Sequence, residues 1–175
     1  MSALTYRLHQ VCDYADAAHA EPPTIPEDAL RRLTEPMLHQ FRILPIGDQQ
    51  HLLFVYKRLV DLGADDDTIT AGLIHDVGKA CAKCRITMLD RTLHVLLPKI
   101  ARGPYRQFAQ RETAPGWCRG LHRLANHAER GALAAEQAGY NARVITLIRC
   151  HEQPGDPADT QMALLHQADN TPGFR

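Results

Sequence analysis

The chain has 175 residues, 20 Lys and Arg against 20 Asp and Glu, and 45% apolar residues. That length suits one domain and that composition excludes a disordered chain; the zero net charge excludes a globally basic nucleic-acid binder. Serine occurs once, at Ser2, which leaves almost no room for a serine nucleophile, whereas the ten histidines equal Trp, Tyr and Phe together.

The pattern is helical from the start. Residues 3–19 read as a first helix, broken by Glu21-Pro22-Pro23. Charges and histidine interrupt this N-terminus before a signal-peptide core can form. The five cysteines are scattered and odd in number, unlike a disulfide framework. No apolar run approaches the ~18 residues needed to cross a bilayer. A soluble, cytoplasmic protein with no membrane contact is expected. Pro26-Glu27-Asp28 opens a second helix, since proline and acids suit a first turn, and Pro36 should kink or split it. Pro45-Ile46-Gly47-Asp48 reads as a turn, with Asp48 as N-cap of a helix over 49–62 that closes at Leu62-Gly63.

Asp65-Asp66-Asp67 starts the next helix, which runs to about Gly78. Residues 86–101 form an apolar helix ended by Gly103-Pro104, and 105–112 a short one. After Ala114-Pro115-Gly116 a long helix runs to Ala138-Gly139. Asn141–His151 and 158–169 are the last two. No alternating β-branched run reads as a strand. The expectation is an all-α bundle of about seven to nine helices, with residues 1–45 as packing helices and 46–175 as the main domain of one compact unit.

The zero net charge conceals an asymmetry. Residues 79–123 carry ten basic residues against Asp90 and Glu112, a surplus of eight that the rest of the chain offsets. Such a segment is either a set of solvated helix faces or a positive wall for an anionic substrate.

Six groups project from the apolar faces of five helices. His51 shares a face with Val55, Leu59 and Leu62. Asp76 follows Ile69 and Leu73 at helical spacing, with His75 at the same edge. His127 heads a face of Gly131, Ala134 and Ala138. His151 follows Val144 and Ile148, and Asp169 follows Met162 and Leu165. A lone histidine on such a face is usually a satisfied core residue. Four imidazoles and two carboxylates in one apolar core are costly without partners, and divalent metal is the economical one. Ligands without thiolate favour Fe, Mn or Zn over a Cys-type structural zinc, and six of them suit two ions better than one.

Two other patterns are set aside. Gly72 to Gly78-Lys79 has the wrong spacing for a P-loop and no preceding strand. Cys81-Ala82-Lys83-Cys84 has no second pair to make a zinc ribbon and no βα context for a redox motif, so its cysteines read as incidental.

The order of these residues resembles the HD superfamily of metal-dependent phosphohydrolases. Ala71-Gly72-Leu73-Ile74-His75-Asp76-Val77-Gly78-Lys79 is similar to that family's apolar helix ending in His-Asp. His127-Ala128-Glu129-Arg130-Gly131 and Ile148-Arg149-Cys150-His151-Glu152 resemble the third and fourth histidine positions of its bimetallic branch. Leu164-Leu165-His166-Gln167-Ala168-Asp169 resembles its closing helix. The likeness covers about residues 48–170. The second histidine and the Gly-Tyr-Pro of the cyclic-dinucleotide branch are missing, so the layout is closer to small single-domain HD proteins.

The resemblance implies an HD-domain-like bundle over 46–175 that hydrolyses a phosphoester or phosphoanhydride, with a nucleotide as substrate, by metal-bound hydroxide. It implies His51, His75, Asp76 and Asp169 on one ion and His127 and His151 on the second, with Asp76 bridging. Two divalent ions are expected, Fe or Mn ahead of Zn, Mg, Co or Ni. Lys79 would stabilise phosphoryl charge, with Arg85, Arg119 and Arg123 as further substrate contacts. Glu152 is either an outer acid or a surface residue. His122 and His166 are the remaining histidines to watch; His9, His19, His39 and His94 read as ordinary. Two other readings stand beside this one: an idle HD-fold ligand-binding or signalling module, and a nucleic-acid or partner-binding domain using the basic segment, for which the charge balance makes nucleic acid the less favoured partner.

Overall fold

A computed structural model describes residues 21–82, 86–111, 114–153 and 155–171. The helix expected over 3–19 lies outside these. Among the described residues there are ten α-helices, two 3-10 turns and no strand, an all-α architecture as expected. In chain order they are α1 (Glu27–Leu30), α2 (Glu35–Arg42), α3 (Ile46–Asp61), α4 (Asp66–Ile74), the turn Val77–Lys79, α5 (Met88–Ile100), α6 (Arg102–Ala109), the turn Gly116–Cys118, α7 (Arg119–Ala125), α8 (His127–Gln137), α9 (Ala142–Cys150) and α10 (Thr160–Asp169). No helix among them is long and apolar enough to cross a membrane.

Side-chain caps set four of the ten helix starts. Asp65 accepts the Thr68 amide, Asn141 those of Arg143 and Val144, and Asp159 that of Met162. Thr87 and Asp90 form a reciprocal capping box on α5, which satisfies donors that a helix start leaves unpaired. Gly63 and Gly139 close α3 and α8 at φ +69° and +83°, a region that favours glycine.

Three local expectations need correction. Pro36 does not kink a helix; it sits in the first turn of α2, where its missing amide has no cost. Asp48 is not an N-cap, because α3 already begins at Ile46. Asp48 is fully buried and holds the Arg91 guanidinium through two bonds, 2.6 and 3.3 Å. The long helix expected from 116 to 138 is three pieces, interrupted at Asn126 (φ −123°, ψ 11°), whose side chain donates back to the His122 carbonyl.

One hydrophobic core joins α1–α4 to α8–α10, with Phe41, Leu52, Leu59, Leu73, Leu147 and Leu165 at its centre. Met37, Phe41 and Leu44 bring the described part of 21–45 into that same core. Helices α5–α7 contribute nothing to it. The only buried residues of α5 are Asp90 and Arg91, α6 has none, and Leu121 and Leu124 are the buried aliphatics of α7. These three helices form an outer layer that joins the bundle through polar contacts.

Candidate metal centre

The six groups singled out in the sequence do converge. His51 projects from the middle of α3, where Leu52, Val55 and Leu59 hold the buried face. His75 follows the last residue of α4, and Asp76 opens the tight turn behind it. His127 begins α8, His151 follows α9 and Asp169 ends α10. The four histidines and Asp76 are buried, and the Asp169 side chain is 18% exposed.

Three of the imidazoles are oriented in the same way. The Nδ1–H of His75 donates to the Gly72 carbonyl at 2.9 Å, that of His127 to Leu124 at 2.6 Å, and that of His151 to Ile148 at 2.7 Å. Each acceptor lies three residues back, at a helix end where carbonyls lack intrahelical partners. A carbonyl can only accept, so the bond assigns a proton to Nδ1 and makes Nε2, once it carries none, the nitrogen whose lone pair can ligate.

Those lone pairs meet around Asp76. His51, His75 and Asp76 form one triad of ligand atoms within 4.8 Å of one another, and Asp76, His127 and His151 form another. Asp76 Oδ1 lies 3.1 Å from His127 Nε2 and 3.8 Å from His151 Nε2. Its Oδ2 lies 3.6 Å from His75 Nε2 and 4.0 Å from His51 Nε2. Asp169 Oδ1 completes the first side, 3.0 Å from His51 Nε2 and 3.4 Å from His75 Nε2.

The residues fit a cation on two counts. His75 Nε2 is buried and makes no hydrogen bond. The Nε2 atoms of His127 and His151 face each other at 3.1 Å, with the Nδ1–H of each ring bonded to a carbonyl. A cation between or beside them would take both nitrogens as ligands. The site can therefore hold metal through nitrogen and carboxylate ligands.

Electrostatics agree with that division. Burial opposes the charged form of Asp76, but Lys79, His75 and His127 outweigh it and hold the carboxyl well below its usual range. Burial is likewise outweighed at Asp169, where the bond to His51 and the nearby His75 imidazole hold the carboxyl well below its usual range. Burial disfavours charge on His75, yet Asp76 and Asp169 raise its pKa to about 9. His151 goes the other way: burial, with His75 and His127 nearby, lowers its pKa to about 4 and keeps it neutral.

The other sequence candidates divide. Lys79 pairs with Asp76 at the edge of the centre. Arg123 reaches inward from α7 and donates to the Ala80 carbonyl, where burial lowers its pKa to about 10. Arg119 is exposed on α7, and Arg85 lies outside the described residues. Glu152 does belong to the surroundings of the centre, with Oε2 3.8 Å from His127 Nδ1 and Oε1 3.7 Å from His94 Nε2. His94 was read as ordinary, and no spacing on α5 marks it. It sits between Glu152 and Tyr105, whose hydroxyl lies 2.5 Å from its Nδ1. His122 donates to the Arg111 carbonyl and is structural. His166 stays outside both triads. Cys81 is disulfide-bonded rather than incidental, while its companion in the motif, Cys84, lies outside the described residues. No family model, curated protein or solved structure matches the chain.

Proposed function

We propose that the chain is a metal-dependent phosphohydrolase of the HD type, acting on a nucleotide or another small phosphoester or phosphoanhydride. The observation that carries this reading is the pair of triads sharing Asp76, each with imidazole Nε2 atoms turned inward. His51, His75, Asp76 and Asp169 would hold one ion, and Asp76, His127 and His151 a second. A donor set of imidazole and carboxylate suits Fe or Mn. When bound, such ions bring the pKa of water down toward neutrality and polarise a phosphoryl oxygen.

The chain's own residues supply the rest. Carbonyls at Gly72, Leu124 and Ile148 hold three rings in ligating orientation. Lys79 places a positive charge beside Asp76, where phosphoryl oxygens would meet it. Arg123, reaching in from α7, adds a second cation at the Ala80 carbonyl. The nucleotide-directed activity suits a cytoplasmic protein.

Elemental analysis of the purified protein, followed by a phosphoester screen with the metal found, tests the reading. His75→Ala and Asp76→Ala should each lose metal and turnover while keeping the helical circular-dichroism spectrum. Full metal content and full hydrolysis in either variant would overturn the proposal.

A further inference from the structure

The outer layer bears the positive surplus of the chain with almost nothing to neutralise it. Between Met88 and Ala125 the one described carboxylate is Asp90, which is engaged with Thr87 in the α5 cap. Arg91 is held by Asp48 and Arg123 by the Ala80 carbonyl. Lys99, Arg102, Arg106, Arg111 and Arg119 are all exposed, and none forms an ion pair among the described residues. Trp117, in the turn that leads into α7, is 86% exposed.

Arg111, Arg119 and Trp117 are brought to the start of α7. His122 donates to the Arg111 carbonyl at 2.8 Å and stacks edge-on against Phe108 at 5.5 Å, which ties the end of α6 to α7. Arg119 lies one turn before His122, and Trp117 immediately precedes that helix. Arg102 and Arg106 share a face of α6 at a spacing of four. Arg119 and Arg123 have the same spacing on α7, and Arg123 leads to Ala80, next to Lys79 on Asp76. Arg119 and Arg123 thus lead along α7 from the exposed surface toward Lys79 and the metal centre.

We infer that this layer binds single-stranded nucleic acid, with phosphates on Arg111, Arg119 and the α6 arginines and a base stacked on Trp117. Four of the five cations that make no ion pair among the described residues are arginine, whose planar fork matches phosphate oxygens. Stacking on an aromatic face tolerates any base, and backbone charge supplies the remaining affinity. An anionic bilayer fits less well. The exposed apolar residues of α5 are Met88 and Leu89 at one end and Ile100 at the other, with Leu89 and Ile100 ~16 Å apart by helical rise rather than side by side. Binding needs no metal; only the fate of a strand end at Asp76 rests on the hydrolytic reading.

Fluorescence anisotropy of a short labelled oligo(dT) with the full chain, with and without EDTA over a salt series, tests this inference. Affinity should fall with salt in either condition. Arg111→Ala combined with Arg119→Ala should flatten the slope of log K on log salt by about 1.4, at roughly 0.7 per lost phosphate contact. Trp117→Ala should weaken binding about fivefold or more with the slope unchanged. Lys57→Ala, an exposed change on α3, should do neither. Absence of binding, or variants that bind as the parent does, would sink the inference, as would binding to phosphatidylserine vesicles without binding to the oligonucleotide. A chain that binds the strand but hydrolyses no phosphoester keeps this inference and loses the proposed activity. A hydrolase that ignores the strand does the reverse.

Discussion

An imidazole ligates metal only through a nitrogen that carries no proton, so the fate of each ring proton decides what the centre can do. His151 is already neutral at physiological pH, because burial and its cationic neighbours lower its pKa to about 4. His75 is not: despite burial, Asp76 and Asp169 raise its pKa to about 9, so in the metal-free chain it holds a second proton. That proton stabilises the fold. Its contribution is fully present below the unfolded pKa of about 6.5 and is lost as pH rises through the folded value. The metal-free protein should therefore lose stability between about pH 6.5 and 9, with His75 accounting for at most about 1.4 kcal/mol per pH unit. Bound metal replaces the proton, so the loaded protein should have a flatter profile over the same window and should release a proton on metal uptake. Urea melts of both forms across that range check this. Parallel profiles would mean that His75 is not a ligand.

At the scale of elements, the centre depends on how closely the turn Val77–Lys79 lies against α8. A Cβ on Gly78 would fall inside contact distance of the His127 carbonyl oxygen and 2.7 Å from the Gly131 amide nitrogen, both backbone atoms that cannot rotate away. Gly131 faces the same contact from α8, with its own Cβ position 3.3 Å from the Gly78 nitrogen. Gly78→Ala should therefore force His75 and Asp76 away from His127. It should cost about 1–3 kcal/mol as overpacking does, and it should lower metal content at temperatures where the chain remains folded. Thermal melts alongside elemental analysis measure both. The ligands themselves were legible because five helix faces carry regular apolar spacing, and polar residues on such faces stand out. The ends of the helices were not. The interruption at Asn126 depends on a side-chain bond to the His122 carbonyl, and nothing in the local pattern distinguishes it from a continuous helix. His94 was hidden for a related reason: α5 is apolar on most sides, and only its docking shows which side meets Glu152.

At the scale of the whole molecule, the separation of the outer layer from the hydrophobic core makes Asp48 and Arg91 more than a local pair. Asp48 stands one turn before His51 on α3, and Arg91 is in the first turn of α5. Their double hydrogen bond therefore fastens the layer to the helix that carries a ligand. Neither partner is exposed enough to be solvated alone, with side chains 0% and 9% accessible. Removing one leaves a buried charge, which typically costs about 3–5 kcal/mol, whereas replacing both with apolar residues of similar size is often neutral. Asp48→Ala should thus destabilise strongly, and Asp48→Leu with Arg91→Leu should recover much of the loss in a chemical melt. If the pair also registers the layer over the centre, the double variant should keep its metal but bind the labelled strand more weakly than the parent. Core stability and layer docking would then separate, as expected of a layer held by polar contacts: the bundle positions the ligands through Leu52, Leu73 and Ile148, while the layer positions Arg123 and His94 over them.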